Sequence, residues 1–322
     1  MNSTYKKKIF ITGHRGMVGS AFLRYFKKKK NFHLIFANKD KINLEDQKKV
    51  DEFFKKNKPN YVINAAALAG GILANEKFSA DFIEKNLIIQ HNIIKSSFNH
   101  NVQKLLFLGS SCIYPKMCDQ PMKEKYLLSN YLEKTNEAYA IAKIAGLKMC
   151  EYFNSQYKTD FRVVMPTNIY GTNDKYNDKN SHVIPALIKR FHDAKIKNKK
   201  IVKVWGTGNA LREFIFVDDV IDISVKVLFA SKKSYLKFMK NKKINFLNIG
   251  SGQEISIKQL SNIIKIIVGY KGKIIFDKRM KDGTPRKLLD ISNMKKFTKK
   301  IHFKNLKEGL RHTYTDFLKL HG

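Results

Sequence analysis

"KKIFITGHRGMVG", residues 7–19, is the stretch on which the fold turns. Its first six residues form a short apolar run with the look of a buried strand. Gly13, Gly16 and Gly19 then follow three apart, at the start of a segment of helical period near 18–30. A glycine triplet alone is a weak signal. Placed between a strand and a helix, it describes a phosphate cradle: Gly13 allows a tight turn, Gly16 lets the backbone approach a pyrophosphate, and Gly19 lets helix pack closely on strand. The helix N-terminus then faces the phosphates.

The same alternation runs down the chain. Strands are predicted at "KKIFIT" (7–12), "HLIFAN" (33–38), "YVINAAA" (61–67), "KLLFLGSS" (104–111), "FRVVMPTNIY" (161–170) and "INFLNIG" (244–250), with helices near 18–30, 46–57, 80–100, 136–157 and 217–230. Short apolar runs separated by helices predict an α/β fold, a doubly wound parallel sheet of Rossmann type. Residues 1–171, with return segments 213–252, form the expected dinucleotide-binding domain. Residues 172–212 and 253–322, with loop-rich stretches such as "GTNDKYNDKNS" and "KRMKDGTPRK", form a smaller substrate domain beside the carboxyl ends of the strands.

Composition narrows the function classes. A chain of 322 residues that is 43% hydrophobic and 12% aromatic can build a packed core. No signal peptide or spanning helix is predicted, so a soluble, cytoplasmic protein is expected. Three cysteines, Cys112, Cys118 and Cys150, have no spacing that suggests disulfides or a metal site. The net charge of +35 invites a nucleic-acid reading, but the excess is almost all Lys, in runs at 27–30, 195–200 and 232–243 that resemble solvated helix ends and loops. No specific nucleic-acid partner is expected. A positive field would still draw in an anionic small substrate.

Two further motifs define the chemistry. After the second strand stands "NKDKINL" rather than a lone acidic residue for a ribose hydroxyl; Lys39, with Arg15 in the glycine loop, suits the 2′-phosphate of NADP, while the adjacent Asp40 keeps NAD open. "YAIAK" sets Tyr139 and Lys143 four apart on one helical face. Tyr25 and Lys29 share that spacing without any context, so what distinguishes Tyr139 is Ser110 in "FLGSSCIYP" and the upstream glycine loop. A phenol stabilised by a nearby ammonium, with a serine as second donor, can polarise a carbonyl while a hydride arrives from a nicotinamide.

Glycine loop, serine and YxxxK together resemble the extended short-chain dehydrogenase/reductase family, and "REFIFVDDV" (212–220) matches another of its signatures. "GHRGMVGSA", "GSSCIYPK", "EAYAIAKIAGLKMCE", "MPTNIYG", "NSHVIPALIKRFH", "VWGTG" and "DGTPRKLLD" are similar to the members of that family that act on GDP-4-keto-6-deoxy sugars, from Ile9 to about Asp290. The resemblance implies NADP(H)-dependent 3,5-epimerisation and 4-reduction of GDP-4-keto-6-deoxy-D-mannose to GDP-L-fucose. Ser110, Tyr139 and Lys143 would reduce the ketone. Cys112, which strand alternation would project to the side of Ser110, and His182 would serve as base and acid for the epimerisation.

Carried over by position, the cofactor side comprises Gly13, His14, Arg15, Gly16, Met17, Val18, Gly19, Lys39, Leu108, Gly109, Ser110, Ser111, Lys143, Pro166, Thr167, Asn168, Ile169 and His182. The GDP-sugar side comprises Arg190, Trp205, Arg212 and Lys273. A homodimer through the helices near 80–100 and 136–157 is implied as well. Lys39 stands where Arg is expected in relatives, and Leu68 where Lys can occur. The competing readings are a GDP-sugar reductase for a 6-deoxy-heptose or colitose-type substrate, a dehydratase, and a non-catalytic dinucleotide-sensing or nucleic-acid-binding protein. A dehydratase would want an Asp-Glu pair where Ser111 and Cys112 stand.

Overall fold

In the computed structural model, which describes residues 6–176, 181–280, 282–299 and 301–321, the opening strand β1 (Lys7–Thr12) buries its last four residues. An apolar run with no polar alternation belongs inside a sheet covered on both faces. From β1 the chain enters α1 (Met17–Lys27), then β2 (Phe32–Ile35), α2 (Gln47–Asn57), β3 (Tyr61–Asn64), a short α3 (Ile72–Lys77), α4 (Ser79–Asn99) and β4 (Lys104–Leu108). Three single-turn 3-10 segments, Ser111–Ile113, Glu124–Tyr126 and Lys134–Asn136, precede α5 (Glu137–Tyr157), β5 (Phe161–Pro166) and β6 (Asn168–Tyr170). There follow α6 (Val183–Ile196), β7 (Ile201–Trp205), β8 (Leu211–Phe216), α7 (Val217–Phe229), α8 (Lys232–Lys242) and β9 (Leu247–Ile249). The chain closes with β10 (Glu254–Ser256), α9 (Ile257–Val268), β11 (Lys273–Asp277), β12 (Arg286–Lys287), α10 (Ser292–Thr298) and α11 (Leu306–His321).

The main sheet has six parallel strands in the order β2-β1-β3-β4-β5-β9. Its growth reverses at β1, with β2 on one side and β3 on the other. That reversal opens a crevice at the carboxyl ends of β1 and β3, where doubly wound sheets bind ligands. The predicted doubly wound sheet is therefore the observed one. Among the described residues, no helix is long and apolar enough to cross a membrane.

Several strands stop earlier than the sequence suggests. Polar residues at their ends turn away to serve the crevice. The strand expected over 104–111 ends at Leu108; Gly109 N–H makes one more ladder bond to Val164 O at 2.9 Å, and Ser110 then caps a 3-10 turn. The strand expected over 161–170 is two. β5 stays in the main sheet, whereas β6 leaves it to pair with β8 in parallel, Ile169 opposite Ile215. The second half also contains order that the alternating pattern did not reveal: a small sheet of β10, β8 and β12 with β6 beside it, a β7–β11 parallel pair, and helices α6, α9 and α11. The loop expected over 171–181 lies partly outside the described residues.

Two hydrophobic clusters form the interior, and β8 is their seam. Its period-2 alternation sends Ile215 into the cluster around the main sheet and Phe214 and Phe216 into the cluster of α6, β7, α9 and α11. Leu289, Ile291 and Met294, from the segment assigned by sequence to the smaller domain, pack in the first cluster. Fully buried Glu213 ties the seam, accepting from Gly252 N–H at 2.7 Å and Leu289 N–H at 2.9 Å.

Candidate active site

The crevice is built from the ends of β1 and β3 upward. Thr12 Oγ1 donates to Asn64 Oδ1 at 2.9 Å and accepts from Ala66 N–H at 3.1 Å, tying the two strand ends together. Gly13 sits at φ +66°, and a Cβ there would meet the backbone of Ala65 and Ala66 at 2.8 Å. A Cβ at Gly19 would run into the backbone of Gly13 and His14. Gly16 differs from both. Its nearest neighbour would be Gly13 O at 3.4 Å, an ordinary contact, so packing within the protein does not demand a glycine. Gly16 is also the N-cap of α1 and supplies no capping side chain, and the first turn holds no acidic residue. A glycine that internal packing does not demand, at an uncapped helix N-terminus, fits the pyrophosphate of a dinucleotide.

His14, Arg15, Met17 and Val18 complete this loop. His14 hydrogen-bonds Asn38 Oδ1 at 3.1 Å, and Asn173 Nδ2 donates to Arg15 O at 2.9 Å. Lys39 is 79% exposed in its side chain, with Glu45 Oε1 at 3.6 Å. The ion pair is loose. Exposed and weakly held, the ammonium can turn toward a phosphate.

Further along the sheet, Leu108, Gly109, Ser110 and Ser111 form the exit of β4, and Pro166, Thr167, Asn168 and Ile169 the passage from β5 to β6. Thr167 Oγ1 and Asn168 Nδ2 both donate to Glu213 O, at 3.3 and 2.8 Å. Lys143 is buried, and its Nζ donates to Leu108 O at 2.9 Å. Burial lowers its pKa to about 8, against an opposing pull from Cys112. Tyr139 lies one turn earlier on α5, its ring centroid 5.7 Å from that Nζ. Burial, reinforced by Cys112, pushes the phenol well above its ordinary value, and hydrogen bonding with Ser110 pulls it back. Tyr139 therefore carries its proton throughout the neutral range.

Cys112 reaches this group by a route different from the one the sequence suggested. It is on a 3-10 turn, not a strand, so alternation is not what orients it. The turn is fixed by Cys112 N–H donating to Ser110 Oγ at 3.3 Å. With its oxygen accepting, Ser110 keeps its hydroxyl proton for a second partner. The thiol sulfur accepts from Asn136 Nδ2 at 3.4 Å. Ser110, Cys112, Tyr139 and Lys143 thus converge from β4's exit and α5.

His182 stands on another element, as the residue before α6. Solvent reaches it, yet protein encloses it, as in a cleft wall; the resulting desolvation lowers its pKa below the ordinary imidazole value. On α6, Arg190 donates to Lys203 O at 2.9 Å and stacks over Trp205 at 5.1 Å, bordering a cavity of about 390 Å³. Arg212 on β8 donates to Asp282 O at 2.9 Å. Lys273 is not brought together with them. It opens β11 opposite Ile201, while Trp205 is opposite Asp277 at the other end of that ladder, about 13 Å away at the usual strand rise.

Two residues that sequence reading missed shape the site. Asn86 on α4 clasps the loop after β3, accepting from Leu68 N–H at 2.9 Å and donating to Leu68 O at 3.0 Å. Asn136 holds the thiol; its signal was the N-x-x-Y-x-x-x-K spacing, which puts three polar side chains on one helical face. Among the described residues, no group of three or more His, Cys, Asp or Glu could hold a metal ion.

A glycine-loop Rossmann sheet with a serine at the exit of β4 and a tyrosine and lysine on the neighbouring α5 defines a dinucleotide-dependent enzyme acting at a carbonyl or alcohol. Comparison with known proteins narrows the class. The model of the NAD dependent epimerase/dehydratase family matches residues 9–237, and the chain belongs to that family. It is 46% identical to a GDP-L-fucose synthase of Escherichia coli K12 over 97% of both chains. GDP-L-fucose synthase 1 of Arabidopsis thaliana is 48% identical, over 97% of this chain and 93% of that one. Among solved structures, a GDP-mannoheptose C4 reductase from Campylobacter jejuni with NADP bound superposes with a TM-score of 0.85 at 36% identity, covering 97% of this chain and 98% of that one.

Proposed function

We propose that this enzyme carries out NADPH-dependent 3,5-epimerisation and 4-reduction of GDP-4-keto-6-deoxy-D-mannose, yielding GDP-L-fucose. The observation that carries this reading is the convergence of a thiol, Cys112, on the Ser110, Tyr139 and Lys143 group. A reductase needs the last three only. The names of the close relatives support the same substrate.

The chemistry follows from a ketone at C4, which acidifies the hydrogens on C3 and C5. Ser110 and Tyr139 donate to the C4 oxygen and stabilise the enolate, the largest electrostatic task in the reaction. Cys112 takes the proton from one face and His182 returns one to the other. Desolvation by the enclosing protein favours neutral imidazole at His182, and an anionic GDP-sugar in the cleft acts in the opposite direction, toward the protonated acid. Bound NADPH supplies the hydride that reduces C4. Tyr139, protonated at neutral pH, gives its proton to the C4 oxygen, and the Lys143 ammonium stabilises the phenolate left behind.

The loop from Gly13 to Gly19 would hold the pyrophosphate, Arg15 and Lys39 the 2′-phosphate, and Leu108–Ser111, Lys143, Pro166–Ile169 and His182 the nicotinamide half. Arg190, Trp205 and Arg212 would hold the GDP-sugar, and Lys273, from its place on β11, serves there only as a more distant charge. We assign the main-sheet cluster to cofactor binding and the second cluster to the substrate. Exposed Ile141, Tyr152 and Tyr157 on α5 support a homodimer through α4 and α5, which the molar mass in solution checks. A cytoplasmic location and the absence of a specific nucleic-acid partner complete the reading.

The deciding experiment incubates the protein with GDP-4-keto-6-deoxy-D-mannose in deuterated water, with and without NADPH. Label entering C3 and C5 without NADPH, and GDP-L-fucose with it, supports the assignment. Reduction without any exchange would instead mark a plain C4 reductase, the activity named for the Campylobacter jejuni neighbour. Cys112→Ala exchanging label at the wild-type rate would overturn the base assignment.

A further inference from the structure

We propose that Asn136 is a positioning residue for Cys112, its side-chain amide donating to the sulfur so as to hold it against the substrate carbon. The proposal deepens the function given above and rests on it for the identity of that carbon.

Three observations converge on Asn136. Its Nδ2 reaches Cys112 Sγ at 3.4 Å. It also stands immediately before the 21-residue α5, a place where an asparagine ordinarily turns its oxygen back to cap the helix, and it makes no such bond. The side chain forgoes helix capping to face the thiol. Finally, Asn136 Oδ1 is buried without a partner, as is Thr135 Oγ1 beside it. Orphaned polar atoms of this kind are rare in folded proteins, and one on the amide that faces Cys112 points to a hydroxyl-bearing ligand that satisfies it.

The surrounding structure keeps this side chain in place. Asn136 N–H donates to Glu133 O at 3.1 Å, and Glu133 is held by Lys116 at 3.0 Å. Asn136 immediately precedes α5, and Tyr139 and Lys143 follow three and seven residues on, so the residue at the start of the helix offers its amide to the thiol while the helix itself presents the phenol and ammonium to the ketone. An N–H donated to sulfur favours the ionised form, the nucleophile and base among the two thiol states. The titratable groups facing Cys112, namely Tyr139 and Lys143, are on α5 and stay unchanged in the variants below.

The test measures iodoacetamide alkylation of each cysteine in wild type, Asn136→Asp and Asn136→Ala, mapped by peptide mass. Asn136→Asp preserves size, removes the donor and offers α5 a capping carboxylate. Alkylation of Cys112 is expected to slow in both variants roughly tenfold to a hundredfold, the worth of a hydrogen bond to a charged group, with Cys118 unchanged. Buried Cys150 reports folding, since its alkylation in a variant marks a loss of structure, and Asn136→Asp then decides. Deuterium exchange at C3 and C5 should fall in parallel with Cys112 reactivity. Wild-type reactivity of Cys112 in Asn136→Asp overturns the proposal. A wild-type protein that exchanges no label while its Cys112 still depends on Asn136 overturns the function reading and leaves the positioning role standing.

Discussion

At Gly16 a residue type is present for something other than the protein's own packing. The three loop glycines are identical in sequence and different in cause: Gly13 and Gly19 are demanded by neighbouring backbone, Gly16 is not. Gly16→Ala is therefore expected to keep wild-type thermal stability while weakening NADPH binding by at least tenfold in a fluorescence titration. Gly19→Ala should lower stability first, because the clash lies between α1 and the loop of its own chain. Lys143 yields a second residue-scale expectation. Its folded pKa of about 8 means that the cation is present below that pH and is lost as pH rises through it. The reduction rate, followed by NADPH oxidation, should fall as pH rises through about 8. In Lys143→Arg, whose cation does not titrate in this range, that limb should disappear even where the rate is lower.

Elements impose their own constraints, and β5 shows the most severe. Arg162, with no exposed surface, is the second residue of β5 and forms a fork with Asp160, Nε–Oδ1 at 2.7 Å and Nη2–Oδ2 at 2.8 Å, under the ring of Tyr235 on α8 at 4.5 Å. Its Nη1 donates to Val227 O on α7. One side chain thereby joins three elements. Asp160→Ala strands a buried charge and should cost about 3–5 kcal/mol in chemical denaturation, whereas Asp160→Ala with Arg162→Met should cost much less. Nothing in "TDFRVV" announces this pair, because a charge inside an apolar run looks the same whether it ends a strand or is buried within one. The doubly wound half was legible because strand and helix periods alternate there without interruption. The second half was not, since β6, β8, β10 and β12 are two to six residues long and are stabilised by partners distant in sequence. Likewise Ser110, Tyr139 and Lys143 could be read from spacing and context, while Asn136, though it shares that spacing, shows its role only once a 3-10 turn moves Cys112 off the strand.

For the whole molecule the dominant physical fact is the net charge of +35. Self-repulsion at that charge is screened by salt, so the melting temperature should rise between low and physiological ionic strength. Over the same range the KM for the anionic sugar nucleotide should rise too, as steering weakens, and a melting curve beside a Michaelis series at each salt concentration checks both. A KM indifferent to salt would confine the lysines to a solvated surface role. The joining of two clusters across β8 puts the cofactor loop and the Arg190–Trp205 stack on opposite sides of one seam. Trp205 is the sole tryptophan of the chain and is 38% exposed. Its indole emission is thus a built-in optical probe of one location alone: excited at the red edge, where the 14 tyrosines are silent, it is expected, on the proposed substrate assignment, to change on arrival of a guanine nucleotide without any label. Reduced cofactor absorbs where indole emits, so the same residue can also follow, by energy transfer across the seam, whether both ligands are present together.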